Sequence, residues 1–278
     1  MIKPIYPCLW FDSNAKDAAD YYISIFENAK ILSHNLTVTS FEISGTKFMA
    51  LNGGPTYQVN SAVSYFVYCE KEEEIDRLYT KLSAGGSILM ELGKYNWAEK
   101  YAWVIDKFGV NWQLDFHGIN SAQKVVPCLL FVNEKKYKVK AAINKYTALF
   151  ENSSILVESP YIPSPEIPDN AVLFAQMKLN GFIMNAMSSP LPQKYDFTPG
   201  NSFVIECDTQ EEIDLMWGEL GMGGKYNMCG WLDDKYGVSW QVVPSILPKL
   251  MSDPERGPRV IQAFLKMQKF DIAALENA

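Results

Sequence analysis

The sequence has few of the residues from which conventional metal sites and disulfide frameworks are built. Its 278 residues include two histidines, His34 and His117, and five cysteines, with no CxxC pair among them. An odd number of scattered cysteines is typical of reduced thiols in a cytosolic protein, so we expect a cytoplasmic location and no disulfides.

Positive charge and long apolar runs are also scarce. Against 32 Asp and Glu there are 25 Lys and Arg, which gives a net charge of −7, and no basic stripe is visible. Nucleic acid is therefore not an expected partner, because its binding needs clustered phosphate-neutralising side chains. No apolar run approaches the roughly 18–20 residues of a membrane span, and the opening residues lack a secretory signal pattern. We expect no membrane association.

The chain contains a tandem duplication. Matching segments occur in the same order in both halves, and the residues between them differ in number because loops lengthen and shorten. The matches pair Pro7–Phe11 with Pro127–Phe131, Phe26–Asn28 with Phe150–Asn152, Glu73–Asp76 with Glu211–Asp214, and Trp103–Gln113 with Trp231–Gln241. We predict two domains, residues 1–120 and 124–246, followed by a C-terminal helical tail, 247–278.

Each copy has a pattern of two strand-helix-strand-strand-strand modules. In the first copy, alternating apolar runs precede and follow a helix with apolar residues at Ala15, Ala18, Ala19, Tyr22 and Phe26, the spacing of an amphipathic helix. The pattern then restarts at Val63. Helices that cover one face of a sheet leave its other face free to curve around a cavity. In the tail, residues 259–275 predict one terminal helix.

The modules resemble the vicinal oxygen chelate superfamily, which includes glyoxalase I, ring-cleaving dioxygenases and bleomycin- and fosfomycin-resistance proteins. Four sequence motifs make the resemblance more specific: Leu9–Phe26, Ala50–Pro55, Cys229–Gln241 and Arg259–Ala273. They are most similar to the PhnB-like branch of the superfamily, often labelled demethylubiquinone methyltransferase-like. The resemblance implies an α+β fold of tandem glyoxalase-like domains, each made of two βαβββ modules that form a curved mixed sheet or open barrel.

The methyltransferase label has no support in the residues. A common S-adenosylmethionine or nucleotide site needs a strand, a glycine-rich turn and then a helix. Gly85-Gly86 and Gly221–Gly224 instead follow predicted helices, where glycines are typical of helix ends.

The resemblance also implies where a metal would bind in metal-dependent relatives. The implied ligand positions, on the first, fifth and eighth strands of each copy, are Tyr6, Val63 and Gln113, then Val126, Asn201 and Gln241. None of these residues is a carboxylate or an imidazole, and a divalent cation needs about three good donors. We therefore predict no cofactor and no conventional metal site.

Strand alternation predicts the lining of a barrel pocket. In 110–116, the apolar Val110, Trp112, Leu114 and Phe116 share one face, and Asn111, Gln113 and Asp115 share the other. The same reasoning applies to the first and fifth strands. The predicted ligand-pocket residues are Tyr6, Cys8, Trp10, Tyr65, Asn111, Gln113, Asp115, Cys128, Asn201, Phe203 and Gln241. The alternative is that these side chains fill a solid core.

Three functions are compatible with these patterns. The first is a metal-free protein that binds a small hydrophobic or aromatic molecule in a barrel pocket. The second is a metal-dependent lyase, isomerase or dioxygenase with unconventional donors such as Gln113, Asp115 and Tyr6. The third is a structural or interaction module, in which the tandem copies imitate a dimer within the chain or the chain forms a homodimer. Whether modules pair within or across copies is left open by the sequence.

Overall fold

The structure, a computed structural model, describes residues 3–278. The chain forms two compact units. The larger unit is Pro7–Asn201, and the smaller one joins the described residues up to Tyr6 to Ser202–Ala278. Within the described residues, no helix has both the length and the apolar character needed to cross a membrane.

The larger unit begins with the first βαβββ module. Its elements are β1 (Tyr6–Phe11), α1 (Ala15–Ile25), β2 (Ala29–His34), β3 (Val38–Ile43) and β4 (Thr46–Asn52). The strands follow the order β1-β4-β3-β2, with β1 and β4 parallel. Helix α1 buries Ala15, Ala18, Ala19 and Tyr22, as the predicted apolar spacing requires. Its first turn is capped by Asn52, whose side-chain oxygen accepts from Ala15 N at 2.9 Å.

Two further modules complete the larger unit. The second module consists of β5 (Val63–Cys69), α2 (Glu72–Ser83), β6 (Ser87–Tyr95), β7 (Ala98–Ile105) and β8 (Asn111–Phe116). The third consists of β9 (Val125–Phe131), a 3-10 turn (Asn133–Lys135), α3 (Val139–Leu149), β10 (Ser154–Pro160), β11 (Val172–Leu179) and β12 (Phe182–Ser188). The strand-helix-strand-strand-strand order predicted from the sequence is confirmed.

The second and third modules share one mixed sheet of eight strands, which we call the central sheet. Its strand order is β10-β11-β12-β9-β5-β8-β7-β6. The two modules meet where β5 pairs antiparallel with β9, through partners such as Ser64 with Cys128. The last module of the first copy is therefore paired with the first module of the second copy. The sheet is open, because β10 and β6 are its edge strands.

The smaller unit contains the fourth module and the tail. Its elements are β13 (Asn201–Cys207), α4 (Gln210–Gly221), β14 (Lys225–Tyr226), β15 (Trp231–Asp233), β16 (Ser239–Pro244), α5 (Leu247–Met251), α6 (Gly257–Phe264) and α7 (Ile272–Glu276). Strands β14 and β15 have two and three residues, against nine and eight in β6 and β7. The hairpin is shorter because fewer residues separate the helix from the last strand in the fourth module, 222–238, than in the second module, 84–110.

The prediction of one terminal helix over 259–275 is wrong. The segment is broken into α6 and α7, and Phe270, between them, is fully buried. The carbonyl oxygens of Met267 and Gln268 leave the helix pattern and accept from Cys229 N and Gly230 N, each at 2.7 Å. Asp271 then caps α7 by accepting from Ala274 N at 2.8 Å.

Candidate functional site

The two faces of the central sheet have different surroundings. One face packs against helices: Trp112 of β8 contacts Tyr22 of α1 with ring centroids 5.3 Å apart. The other, which we call the inner face, is covered mainly by strand residues, with Ile119 of the segment after β8 packed against it. Its buried cluster consists of Phe66, Tyr68, Ala98, Tyr101, Val126, Cys128 and Ile183. A functional site on this sheet would use the inner face or its ends.

The alternation predicted for β8 and β9 agrees with the structure. Gln113 is hydrogen-bonded to Tyr101 and Asn111 accepts from Trp103 Nε1 at 3.2 Å, so both side chains lie on the inner face. Asp115 lies opposite Tyr101 and Tyr68 in the strand register. Cys128 belongs to the same inner cluster.

The alternation predicted for the fifth strand is off by one residue. Tyr65 lies on the helix-packed face, where its ring is 5.6 Å from Trp112 and its hydroxyl donates to Asn201 at 3.0 Å. The inner face carries Ser64, Phe66 and Tyr68 instead, which the prediction missed. Every residue of β5 is buried, so its hydrophobicity contains no alternating signal. The repeated serines Ser64 and Ser202 could have indicated the correct face.

The remaining predicted residues lie elsewhere in the two units. Cys8 is fully buried in β1, and Trp10 Nε1 donates to Gly54 O at 2.7 Å. A Cβ on Gly53 would lie 2.2 Å from the Trp10 ring, so this glycine is needed to seat the indole. The Asn-Gly-Gly-Pro motif is thus a structural turn that holds Trp10 and caps α1.

Three predicted residues belong to the smaller unit. Phe203 packs on Trp240, with ring centroids 5.5 Å apart. Gln241 donates from Nε2 to Ser202 Oγ at 3.0 Å, and the Tyr6 hydroxyl donates to Glu206 Oε1 at 2.7 Å. Ser202, which lies between the predicted residues Asn201 and Phe203, makes the polar contact with β16, as Ser64 does with β8.

A buried hydrogen-bond network crosses the inner face of the central sheet. Gln113 is its centre: Nε2 donates to Ser64 Oγ at 2.6 Å, and Oε1 accepts from the Tyr101 hydroxyl. Gln113 and Ser64 are both fully buried, and Tyr101 is nearly so. Because each polar group has a partner, the network is compatible with a dry interior.

A second group of polar side chains lies beside the first. The Tyr68 hydroxyl accepts from Asn185 Nδ2 at 2.8 Å and from Gln176 Nε2 at 3.3 Å. The Gln176 amide also donates to Asn185 Oδ1 at 3.1 Å. Phe66 meets Phe174 with ring centroids 6.0 Å apart. Side chains of the second and third modules therefore contact one another across the inner face.

The residues at the implied ligand positions do not fit a divalent metal. On the central sheet, the side chains of Val63 and Val126 have no donor atom, and the amide of Gln113 is bonded to the hydroxyl of Ser64, the residue beside Val63. In the smaller unit, Ser202 and Gln241 make the same pair. Neutral hydroxyl and amide groups are weak donors without a carboxylate or imidazole beside them. Over residues 3–278, no cluster of three or more His, Cys, Asp or Glu could hold a metal ion.

The buried cysteine of the inner face is not an activated thiol. Cys128 is fully buried, and this burial raises the pKa of its thiol well above the ordinary value. A nucleophilic cysteine requires the opposite effect, a pKa lowered by a nearby cation or helix N-terminus. Cys128 is therefore a packing residue at neutral pH.

Asp115 is the buried carboxyl group of the inner face. Its residue is 2% exposed, and burial raises the pKa of the carboxyl group from 3.8 to about 6. Gly118 N donates to Asp115 Oδ1 at 2.9 Å, which stabilises the ionised form only in part. Gly118 is tightly placed, because a Cβ there would lie 2.3 Å from the same oxygen.

A cleft of about 500 Å³ opens at the carboxyl ends of β5 and β8. Asp115 does not line it but contacts Gly118, which does. Its walls are the end of β5 and the segment that joins the two copies. The lining residues are Tyr68, Cys69, Glu70, His117, Gly118, Ile119, Asn120, Ser121, Ala122 and Lys124. Tyr68 belongs both to this lining and to the buried network of the inner face.

Comparisons with known proteins agree with this architecture. A sequence model of the family described as 3-demethylubiquinone-9 3-methyltransferase matches residues 3–115 and again 123–243. A comparison with curated proteins gave no match.

Among solved structures, glyoxalase I from Zea mays has a TM-score of 0.59 at 11% identity and covers 88% of this chain and 92% of its own. This likeness concerns the fold alone. A PhnB protein from Bacillus cereus, described as a 3-demethylubiquinone-9 3-methyltransferase, is 34% identical and covers 41% of this chain and 99% of its own, with a TM-score of 0.39. A protein from Pseudomonas aeruginosa is 21% identical over 40% of this chain and 94% of its own, with a TM-score of 0.35.

Proposed function

Because this chain belongs to the 3-demethylubiquinone-9 3-methyltransferase family, on a glyoxalase-type fold, we propose that it binds a small organic molecule without a conventional metal site. The observation that carries the proposal is the cleft of about 500 Å³ at the ends of β5 and β8. Ligand pockets commonly measure roughly 300–1,000 Å³ and combine apolar walls with a few polar groups.

The lining of the cleft suits such a ligand. Tyr68 and Ile119 provide apolar surface, and the loop from His117 to Ala122 provides backbone hydrogen-bonding groups. The Tyr68 ring is held in place because two amide side chains donate to its hydroxyl. A wall fixed in this way loses little conformational entropy when a ligand binds.

Methyl transfer, the activity in the family's description, is not part of this proposal. Gly85 and Gly223 follow α2 and α4 and have φ of +76° and +75°, the geometry of helix ends. The next glycines, Gly86 and Gly224, lie close to backbone carbonyls, where a Cβ would be 1.9 Å and 2.1 Å away. These glycines have structural roles, and none of them lies between a strand and the start of a helix, as a common S-adenosylmethionine site requires.

A ligand screen with a blocked cleft tests the proposal. We expect a thermal-shift screen of small organic compounds to find saturable binders of the wild-type protein. Ala122 is exposed and lines the cleft, so Ala122→Trp should fill it and weaken these binders at least tenfold. Ala84→Trp is the matched control, because Ala84 is an exposed residue at the far end of α2. Absence of binders, or binders unaffected by Ala122→Trp, would refute the proposal.

A further inference from the structure

The charges around the cleft are unbalanced. Lys124 lines it but is paired with Glu74 at 2.9 Å, and both side chains are mostly buried. His117 Nδ1 lies 3.1 Å from Glu99 Oε2. Two carboxyl groups are left over: Glu70, exposed in the lining, and Asp115, directly behind Gly118. The cleft therefore carries negative charge that its own cations do not offset.

Asp115 has neutral neighbours on each strand that packs against it. Tyr68 lies opposite it on β5 and Tyr101 lies opposite it on β7. Cys128, across the inner face on β9, is also close enough to interact with both tyrosines. Burial raises the pKa of all three groups, so each is uncharged at neutral pH. Keeping an ionised carboxyl group here costs free energy that a nearby cation would offset.

The cleft also offers an aromatic surface. Tyr68 and His117 both belong to the lining, and the imidazole of His117 stacks on Phe116 at 3.9 Å between centroids. Aromatic faces attract organic cations, and the attraction increases when water is excluded.

We infer that the cleft binds an organic cation, a protonated amine carried on an apolar or aromatic group, with Asp115 and Glu70 as its counter-charges. The inference rests on the proposed function, because it specifies the chemical class of the ligand for the same cleft. The amine lies near Asp115, and its apolar part lies against Tyr68 and Ile119.

The affinity for such a cation depends on pH. The titratable groups that interact with Asp115 from the packed strands are Tyr68, Cys69 and Tyr101; burial raises the pKa of each, so none of them titrates between pH 5 and pH 7. In the adjoining segment, His117 lies beside Glu99 and Lys124 beside Glu74. Burial raises the pKa of Asp115 to about 6. A bound cation favours the ionised carboxylate, so the affinity rises as the pH increases through this range.

Calorimetric titration with three probes of similar shape tests the inference: 2-phenylethylamine, 2-phenylethanol and phenylacetate. For the full-length wild-type protein at pH 7.5, we expect the amine to bind at least tenfold more tightly than the alcohol, and phenylacetate to bind most weakly. Asp115→Asn should weaken the amine about tenfold and leave the alcohol unchanged. It should also abolish the rise in amine affinity between pH 5 and pH 7.

The outcomes separate the inference from the proposed function. If the amine and the alcohol bind equally and Ala122→Trp abolishes both, the cation inference is wrong but the small-molecule site remains supported. A preference for phenylacetate would have the same meaning. If none of the three probes binds but neutral library compounds bind the cleft, the cation inference is also wrong and the proposed function remains supported. Failure of the probes and of the library would overturn both.

A second variant keeps the test decisive if Asp115→Asn does not fold. Glu70→Gln changes an exposed side chain and should weaken the amine about threefold, without affecting the alcohol. An unchanged amine affinity in this variant, or an equal loss for both probes, would contradict the role of the carboxylates. Thermal unfolding of each variant shows that it is folded before titration.

Discussion

At the scale of single residues, the two copies repeat the same contacts. The serine–glutamine pair occurs as Ser64 with Gln113 and as Ser202 with Gln241. Alternation predicted the glutamines, because β8 has polar and apolar residues in turn. It could not predict Ser64, because β5 is buried on both faces and the choice between neighbouring residues depends on pairing with β8 and β9.

Asp115 should make the stability of the protein depend on pH. Its pKa is raised from 3.8 to about 6 in the folded state, so its ionisation opposes folding. We expect its contribution to the free energy of unfolding to fall by about 2–3 kcal/mol as the pH rises from about 4 to about 6. Asp115→Asn lacks this loss and should be more stable than wild type above pH 6, measured by urea unfolding.

The control for this prediction is Glu70→Gln, which removes an exposed carboxylate near the same cleft. Its stability should follow the wild-type pH dependence. The prediction is wrong if the difference in unfolding free energy between wild type and Asp115→Asn is the same at pH 4 and at pH 8.

At the scale of secondary structure, the sequence predicted the order of strands and helices but not the path of the tail. Apolar spacing from Val260 to Phe270 indicated one helix, since Phe270 falls on the same stripe. The structure breaks the helix because the carbonyl groups of Met267 and Gln268 bond to Cys229 and Gly230. Such long-range backbone pairing leaves no local pattern in the sequence.

The break in the tail makes Phe270 a core residue of the smaller unit. It is fully buried and packs on Phe264, with ring centroids 5.8 Å apart. Phe270→Ala should lower the free energy of unfolding by about 3–5 kcal/mol. The control is Leu265→Ala at a side chain that is 55% exposed, which should cost less than about 1 kcal/mol. Equal losses in the two variants, measured by chemical denaturation, would contradict the buried position of Phe270.

At the scale of the whole molecule, the internal repeat revealed the family and the modules but not their pairing. Strands β1 and β9 share the sequence Pro-Cys-Leu, so the first strand of either copy was a candidate partner for β5. The choice of β9 depends on tertiary contacts, such as the Thr46 hydroxyl donating to Val125 O at 3.1 Å. The central sheet therefore needs residues from both halves of the sequence.

Expressing the two copies as separate chains should therefore expose strands that are paired in the intact protein. We expect residues 1–121, expressed alone, to associate or precipitate, because β5 loses β9 and becomes an edge strand. Co-expression with residues 122–278 should restore a one-to-one complex, measured by size-exclusion chromatography with light scattering. Two separate fragments that are each monomeric and unfold cooperatively would contradict this expectation.

The segment that joins the copies has a consequence for symmetry. A repeated chain can offer each of its surfaces twice, but the connection between its halves exists once. Because the cleft is walled by residues of this connection, from His117 to Lys124, duplication followed by fusion would have created a surface that neither ancestral half possessed. Binding at the cleft should thus saturate at one molecule per chain. The fused gene would have gained this binding site through its linker, with no need for a change in either repeated copy.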